Sequence, residues 1–269
     1  MKLFNRHVAL PGDHGSWAFF LGPLIVGLFA GGHWHTTLIY LIVAAGCGFL
    51  VRQPVGLMVK VAAGRRGRDV LPAATFWVVL YGAVAAVHVT GLVIRGFAYI
   101  MVLAVPGLLV FGWYLLLLYR RAERQQWLME ILATGSIALV APACMWAGSG
   151  TPDPLGWWLW LLMWLQSATG IVYVYLRLEQ RPLKQRPLPA TRLRQGAPAL
   201  SIAAMGLLLS LILGQFGIVS RWLWVPYLWQ ALEVLRGVMQ PALGVKPTAI
   251  GVRQLLVMIG FVVLFIALW

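Results

Sequence analysis

Residues 11–31 read PGDHGSWAFFLGPLIVGLFAG: a turn, an acid and an imidazole, running straight into a nearly unbroken apolar stretch. From residue 15 onward that stretch is long enough to cross a hydrocarbon layer, which takes roughly 17 to 25 residues at a rise of about 1.5 Å each. It passes through Gly32-His33-Trp34-His35 into a second run of the same kind, with no small-residue cleavage pattern between them. The expectation is a permanent span rather than a removable signal.

The rest of the chain repeats the pattern. Its 269 residues are 61% hydrophobic and only 10% charged, with a mean hydropathy of +0.84. A water-soluble globule of this size has no interior large enough to hide that much apolar surface, so the solvent must be lipid. Apolar windows fall at 15–31, 35–52, 71–94, 97–119, 127–148, 155–176, 197–216, 218–235 and 251–268. They predict an all-α polytopic membrane protein, a bundle of about nine transmembrane helices forming a single membrane domain over 1–269.

Charge gives an independent test of the count. All but Arg95 and Arg221 of the 21 Lys and Arg lie in the N-terminal tail or in the 52–70, 119–126, 177–196 and 236–253 regions. Basic residues in short loops stay on the cytoplasmic side. That predicts a cytoplasmic N-terminus, a C-terminus on the opposite side, and residence in a membrane that borders the cytoplasm. The net charge of +14 is then topogenic and attracts anionic membrane lipids as partners. No nucleic-acid module can be read, and no protein partner is indicated.

Within the windows, Gly27-Leu-Phe-Ala-Gly31 and Gly82-Ala-Val-Ala-Ala86 are spacings that let helix backbones approach closely in lipid. Pro23 and Pro106 are expected to kink their helices, and Trp157, Trp158, Trp160, Trp222 and Trp224 to form an interfacial belt. Cys47 and Cys144 lack CxxC spacing and read as small core residues.

No phosphate-binding loop, dinucleotide fingerprint, zinc-protease motif, nucleophile elbow or paired carboxylates can be found, and no cofactor is named by any motif. The candidates for chemistry are polar residues at one depth. Asp13 and His14 open the first window, where Asp13 is placed to cap the helix. Arg52 and Gln53 close the second, Glu130 lies about one turn into the fifth, Arg177 closes the sixth, and Glu233 and Arg236 sit at the inner end of the eighth. Ionisable groups within spans are costly and face a partner or a watery cavity, which puts Glu130 and Glu233 foremost. The plain alternative is structural: Glu233 and Arg236 pairing at i, i+3, and Glu130 anchored near Arg120, Arg121 or Arg124. At the other end, His33 and His35 offer two imidazoles that His88 would have to join to hold a metal.

The opening Pro11-Gly-Asp-His-Gly-Ser-Trp-Ala-Phe-Phe-Leu-Gly-Pro-Leu24, the Arg52-Gln-Pro54 exit and the tail Leu235-Arg-Gly with Lys246-Pro-Thr-Ala-Ile-Gly-Val-Arg-Gln254 resemble the YwiC-like family of bacterial integral membrane proteins. That family implies no particular activity. In architecture the chain is also similar to the UbiA-type prenyltransferases, whose nine helices enclose a polar pocket opening to the cytoplasm. That resemblance implies Asp-rich motifs holding Mg²⁺ against a diphosphate. This chain departs from them: Asp69 is the one acid of the 52–70 loop and Glu179 that of the 177–196 loop. Without clustered carboxylates there is no magnesium cage, although Arg and Lys can still bind an anion directly.

The expected function is a cytoplasm-facing polar pocket for an amphipathic anionic ligand, isoprenoid- or lipid-like. A transporter or permease, and a non-catalytic accessory or assembly factor of a membrane respiratory complex, are the alternatives. Whether the protein is an enzyme is left open by the residues.

Overall fold

The computed structural model describes residues 4–12, 14–122 and 127–269, with His14 by its backbone only. Eleven α-helices run in order: α1 (Arg6–Ala9), α2 (His14–Ala30), α3 (Thr36–Ala62), α4 (Leu71–Ile94), α5 (Ala104–Tyr119), α6 (Trp127–Ala138), α7 (Val140–Ser149), α8 (Leu155–Gln180), α9 (Pro189–Gln215), α10 (Trp224–Met239) and α11 (Pro247–Leu268). Short 3₁₀ turns precede α4 at Arg68–Val70 and α5 at Ala98–Leu103, and among the described residues there is no β-strand.

Starts and stops follow backbone chemistry. Proline occupies the first turn of α4, α9 and α11, where a missing N–H costs nothing. Gly150, at φ 82°, closes α7 with its N–H on Trp146 O at 2.9 Å, a left-handed conformation that a side chain would strain.

Among the described residues seven helical stretches are long and apolar enough to cross a membrane: Thr36–Ala62, Arg68–Ile94, Ala98–Tyr119, Trp127–Ser149, Leu155–Gln180, Pro189–Gln215 and Pro247–Leu268. The windows at 15–31 and 218–235 correspond instead to shorter helices, of which Gly15–Ala30 is apolar and Trp224–Met239 has 16 residues. Several helices overrun their windows, most of all α3, which continues past Arg52 and Lys60 to Ala62. Hydropathy registers hydrocarbon; a helix ends only where its hydrogen bonding ends.

The fifth window is interrupted. Leu139 breaks it into α6 and α7 just before Pro142, whose ring nitrogen cannot donate to the carbonyl one turn back. Pro106, expected as a kink, stands in the first turn of α5 behind the Ala98–Leu103 3₁₀ turn.

Helices α3 and α4 pack as a hairpin at one edge, and α2 lies inside the bundle against α7, α6 and α11. On the far side α8 packs on α6, α7 and α9, while α10 is held between α9 and α11. One core cluster joins Val26 of α2, Met145 of α7, Leu159 and Met163 of α8, Tyr227 of α10, and Phe261 and Phe265 of α11.

Hydrogen bonds tie the helix ends into two sets. At one end Gln53 Nε2 donates to His7 O (3.0 Å), Arg65 Nη1 to Leu118 O (3.2 Å) and Arg121 Nη2 to Ala63 O (2.9 Å). At the other, Arg95 Nη1 donates to Thr36 Oγ1 (3.2 Å) and Tyr99 Oη to Trp146 O (3.2 Å), and His35 Nε2 lies 2.7 Å from Ala147 O.

The two small-residue motifs part company. A Cβ on Gly27 would lie 2.7 Å from Ala141 Cα and 2.9 Å from Ala141 C, and one on Gly31 3.1 Å from Gly148 Cα, so this motif is the contact of α2 with α7. A Cβ on Gly82 would meet nothing within 4 Å outside its own stretch of helix, and its face of α4 is exposed, which corrects the expectation that it packs a helix. The tryptophans divide similarly. Trp157, Trp158 and Trp222 stay exposed, whereas Trp160 turns inward and donates to Gly135 O (2.8 Å) beside Trp164, which donates to Ile131 O (2.8 Å).

Candidate functional site

Helices α8 and α10 face each other across the bundle interior, with α9 and α11 closing the sides. Gln166, Tyr173, Arg177 and Gln180 recur along one stripe of α8, and Gln230, Glu233 and Gly237 along the opposing stripe of α10. Bonds join them rung by rung. Gln230 Nε2 donates to Gln166 O (2.9 Å), Tyr173 Oη to Glu233 Oε1 (3.0 Å), and Arg177 Nη1 to Gly237 O (2.7 Å) and Gln240 O (2.5 Å).

Glu233 is the centre of this ladder. Its side chain is 10% exposed, and α11 supplies the counter-charge: Arg253 grips it bidentately, Nε to Oε1 and Nη2 to Oε2, each at 2.5 Å. Arg236, the partner expected from spacing, reaches only 4.0 Å. A carboxylate drawn this far from water is held by its fork-shaped partner and by the tyrosine hydroxyl together. Gly237 makes the geometry possible, because any Cβ there would collide with the Tyr173 ring and hydroxyl.

Arg253 is 41% exposed and also lines an open groove with Thr248, Ala249, Val252 and Leu256, about 470 Å³ in volume. One side chain therefore binds a sheltered carboxylate through its guanidinium and also lines an open groove along α11.

The candidates drawn from the sequence separate into groups. Arg177, Glu233 and Arg236 meet around Tyr173, with the Arg177 guanidinium 5.9 Å from the tyrosine ring. Glu130 is on the other side of α8, exposed, accepting from Tyr175 Oη at 2.7 Å. Tyr173 and Tyr175, two residues apart, point to different neighbours, so the two acids are not brought into one cavity. Arg52 lies over the Phe49 ring at 4.3 Å, and Gln53 ties α3 to α1. Asp13 and the His14 side chain lie outside the described residues.

Among the described residues the histidines do not assemble. His35 faces Ala147 O, while His88 Nδ1 lies 2.7 Å from Val84 O on its own helix. Among the described residues no three His, Cys, Asp or Glu side chains come together as a metal would require. Cys47 and Cys144 are buried and unbridged, as read.

Tyr173, Arg253, Gln166 and Gln230 escaped the sequence reading. For Tyr173, Gln166 and Gln230 the signal was the recurrence of polar residues every three or four positions along α8 and α10. Arg253 had no such signal, since a basic residue near a helix start reads as topogenic.

With no strand and seven helices of membrane-crossing length among its described residues, the chain is a multi-pass integral membrane protein. A family model described as YwiC-like protein matches residues 10–145, and the chain belongs to that family. Among curated proteins and among solved structures, none matches the chain. The matched stretch runs from the approach to α2 into α7; the Glu233 ladder lies beyond it.

Proposed function

We propose that this protein binds an amphipathic ligand with an anionic head, isoprenoid- or lipid-like, entering sideways from the bilayer along α11. The observation that carries the reading is the double engagement of Arg253, which holds Glu233 and faces the groove of Thr248, Val252 and Leu256. An apolar chain follows Val252 and Leu256, and its anionic head shares or takes the guanidinium. In this reading the chain is one membrane domain of nine spans, UbiA-like in arrangement. Its basic loops and N-terminus face the cytoplasm of a bacterial cell, and its C-terminus lies across the inner membrane.

Native mass spectrometry of protein gently extracted from its own membrane tests it. A retained amphiphile is expected, lost in Arg253→Gln. Identical retention in Arg253→Gln and the parent protein defeats the proposal.

The interruption at Leu139 favours a second reading as a transporter, since broken helices mark many substrate paths. Solute uptake into proteoliposomes, absent without the protein, would place that reading first.

A further inference from the structure

The end of α8, the connection after it and the first turn of α9 lay four guanidinium groups on one short stretch of chain. Arg177 reaches Gly237 O and Gln240 O, Arg186 Nη2 donates to Met239 O (2.6 Å), Arg192 Nη1 donates to the same Met239 O, and Arg181 Nε donates to Val245 O (2.8 Å). Part of this is helix capping. The last carbonyls of α10 have no partner within the helix, and its C-terminus carries a partial negative charge of about one half.

Capping leaves most of the charge unanswered. The four side chains bring four full positive charges, and among the described residues every carboxylate ion pair converges on Glu233 instead. Arg186 and Arg192 share a single carbonyl oxygen, so two like charges are held side by side.

Two donors are also left over. Arg192 is 6% exposed and Gln180 2% exposed, yet Arg192 Nε and Gln180 Nε2 have no hydrogen-bond partner. Turning the Gln180 amide over does not help. Its Oε1 already accepts from Arg177 Nη1 (3.2 Å) and Ala242 N (3.2 Å), and a flip would set an amino group against both. Buried donors are rarely left unpaired, and each costs free energy until something accepts from it.

We propose that this cap is a binding site for a phosphate-type oxyanion, taken up by Arg186, Arg192 and the amide of Gln180. A tetrahedral oxyanion offers enough acceptor oxygens for several N–H groups at once, and guanidinium groups meet it two bonds at a time. It would neutralise the Arg186–Arg192 pair and satisfy the two orphan donors. The exposed Leu188 and Leu193 nearby give a lipid headgroup as natural an approach as a free phosphate. The site is separate from the Arg253 groove, and either stands without the other.

The test uses the full chain in two arms at constant ionic strength: titration calorimetry with inorganic phosphate in neutral detergent, and native mass spectrometry of phosphatidate retained in discs of otherwise zwitterionic lipid. Saturable one-to-one binding is expected in at least one arm; the first alone identifies a soluble phosphate, the second alone a headgroup. Arg192→Gln and Arg186→Gln should weaken it at least tenfold, while the exposed Arg194→Gln leaves it unchanged. If Arg192→Gln does not fold, Arg186→Gln, at an exposed position, decides. No binding in either arm, or equal loss in Arg194→Gln, overturns the proposal in favour of diffuse charge attraction.

Discussion

Removing Arg253 should hurt the protein more than removing its partner Glu233, because the two ends of that ion pair are sheltered unequally. In Arg253→Gln the carboxylate, 10% exposed, keeps only the Tyr173 hydroxyl and an arginine 4.0 Å away. Stranding a buried charge costs about 3–5 kcal/mol, and the partial exposure of Arg253 together with the help of Arg236 reduces that to about 2 kcal/mol. In Glu233→Gln the stranded guanidinium is 41% exposed and can hydrate, while the new amide oxygen still accepts from Tyr173, so the loss is about 1 kcal/mol or less. The double variant strands no charge. It should be no less stable than Arg253→Gln alone, a coupling of about 1–2 kcal/mol.

The assay is the folded fraction of each purified variant against the mole fraction of a denaturing detergent, run as a double-mutant cycle. Glu233→Gln also frees one face of Arg253, so it should retain at least as much of any bound anionic amphiphile as the parent. Equal or greater damage from Glu233→Gln, or losses that simply add, would refute the claim that Arg253 shelters this carboxylate.

Gly27→Ala should destabilise the protein by about 1–3 kcal/mol, since the new methyl lies 2.7 Å from Ala141 Cα where about 3.7 Å is comfortable. Because the clash is with the backbone, Ala141→Gly should not rescue it, and Gly82→Ala, whose methyl would meet nothing within 4 Å outside its own stretch of helix, should be neutral or stabilising in the same unfolding assay. Tyr175→Phe removes an exposed bond to Glu130 and should cost under about 0.5 kcal/mol, read by the same titration, with amphiphile retention unchanged.

The α4 window at 71–94 was legible in the sequence because proline opens the helix and apolar residues fill it to its end. The end of α3 was not, because the window stopped at Arg52, whereas polar residues at the end of a span remain good helix formers. The candidate site shows the same division. Glu233 stood out as an acid in apolar surroundings, and so did its need for a partner. That partner, Arg253, is 20 residues away, on a helix whose side-by-side packing with α10 no spacing rule reports.

The sequence by itself therefore determined that this chain is helical and lives in lipid, since hydropathy and backbone propensity are properties of a residue and its near neighbours. Only the tertiary structure decided that Gly27 is an interface while Gly82 faces outward, that Trp160 bonds inward while Trp157 stays exposed, and that Glu130 and Glu233 stand on opposite sides of α8. A motif offers a surface and a charge demands a counter-charge, but which helix answers depends on how the whole bundle packs.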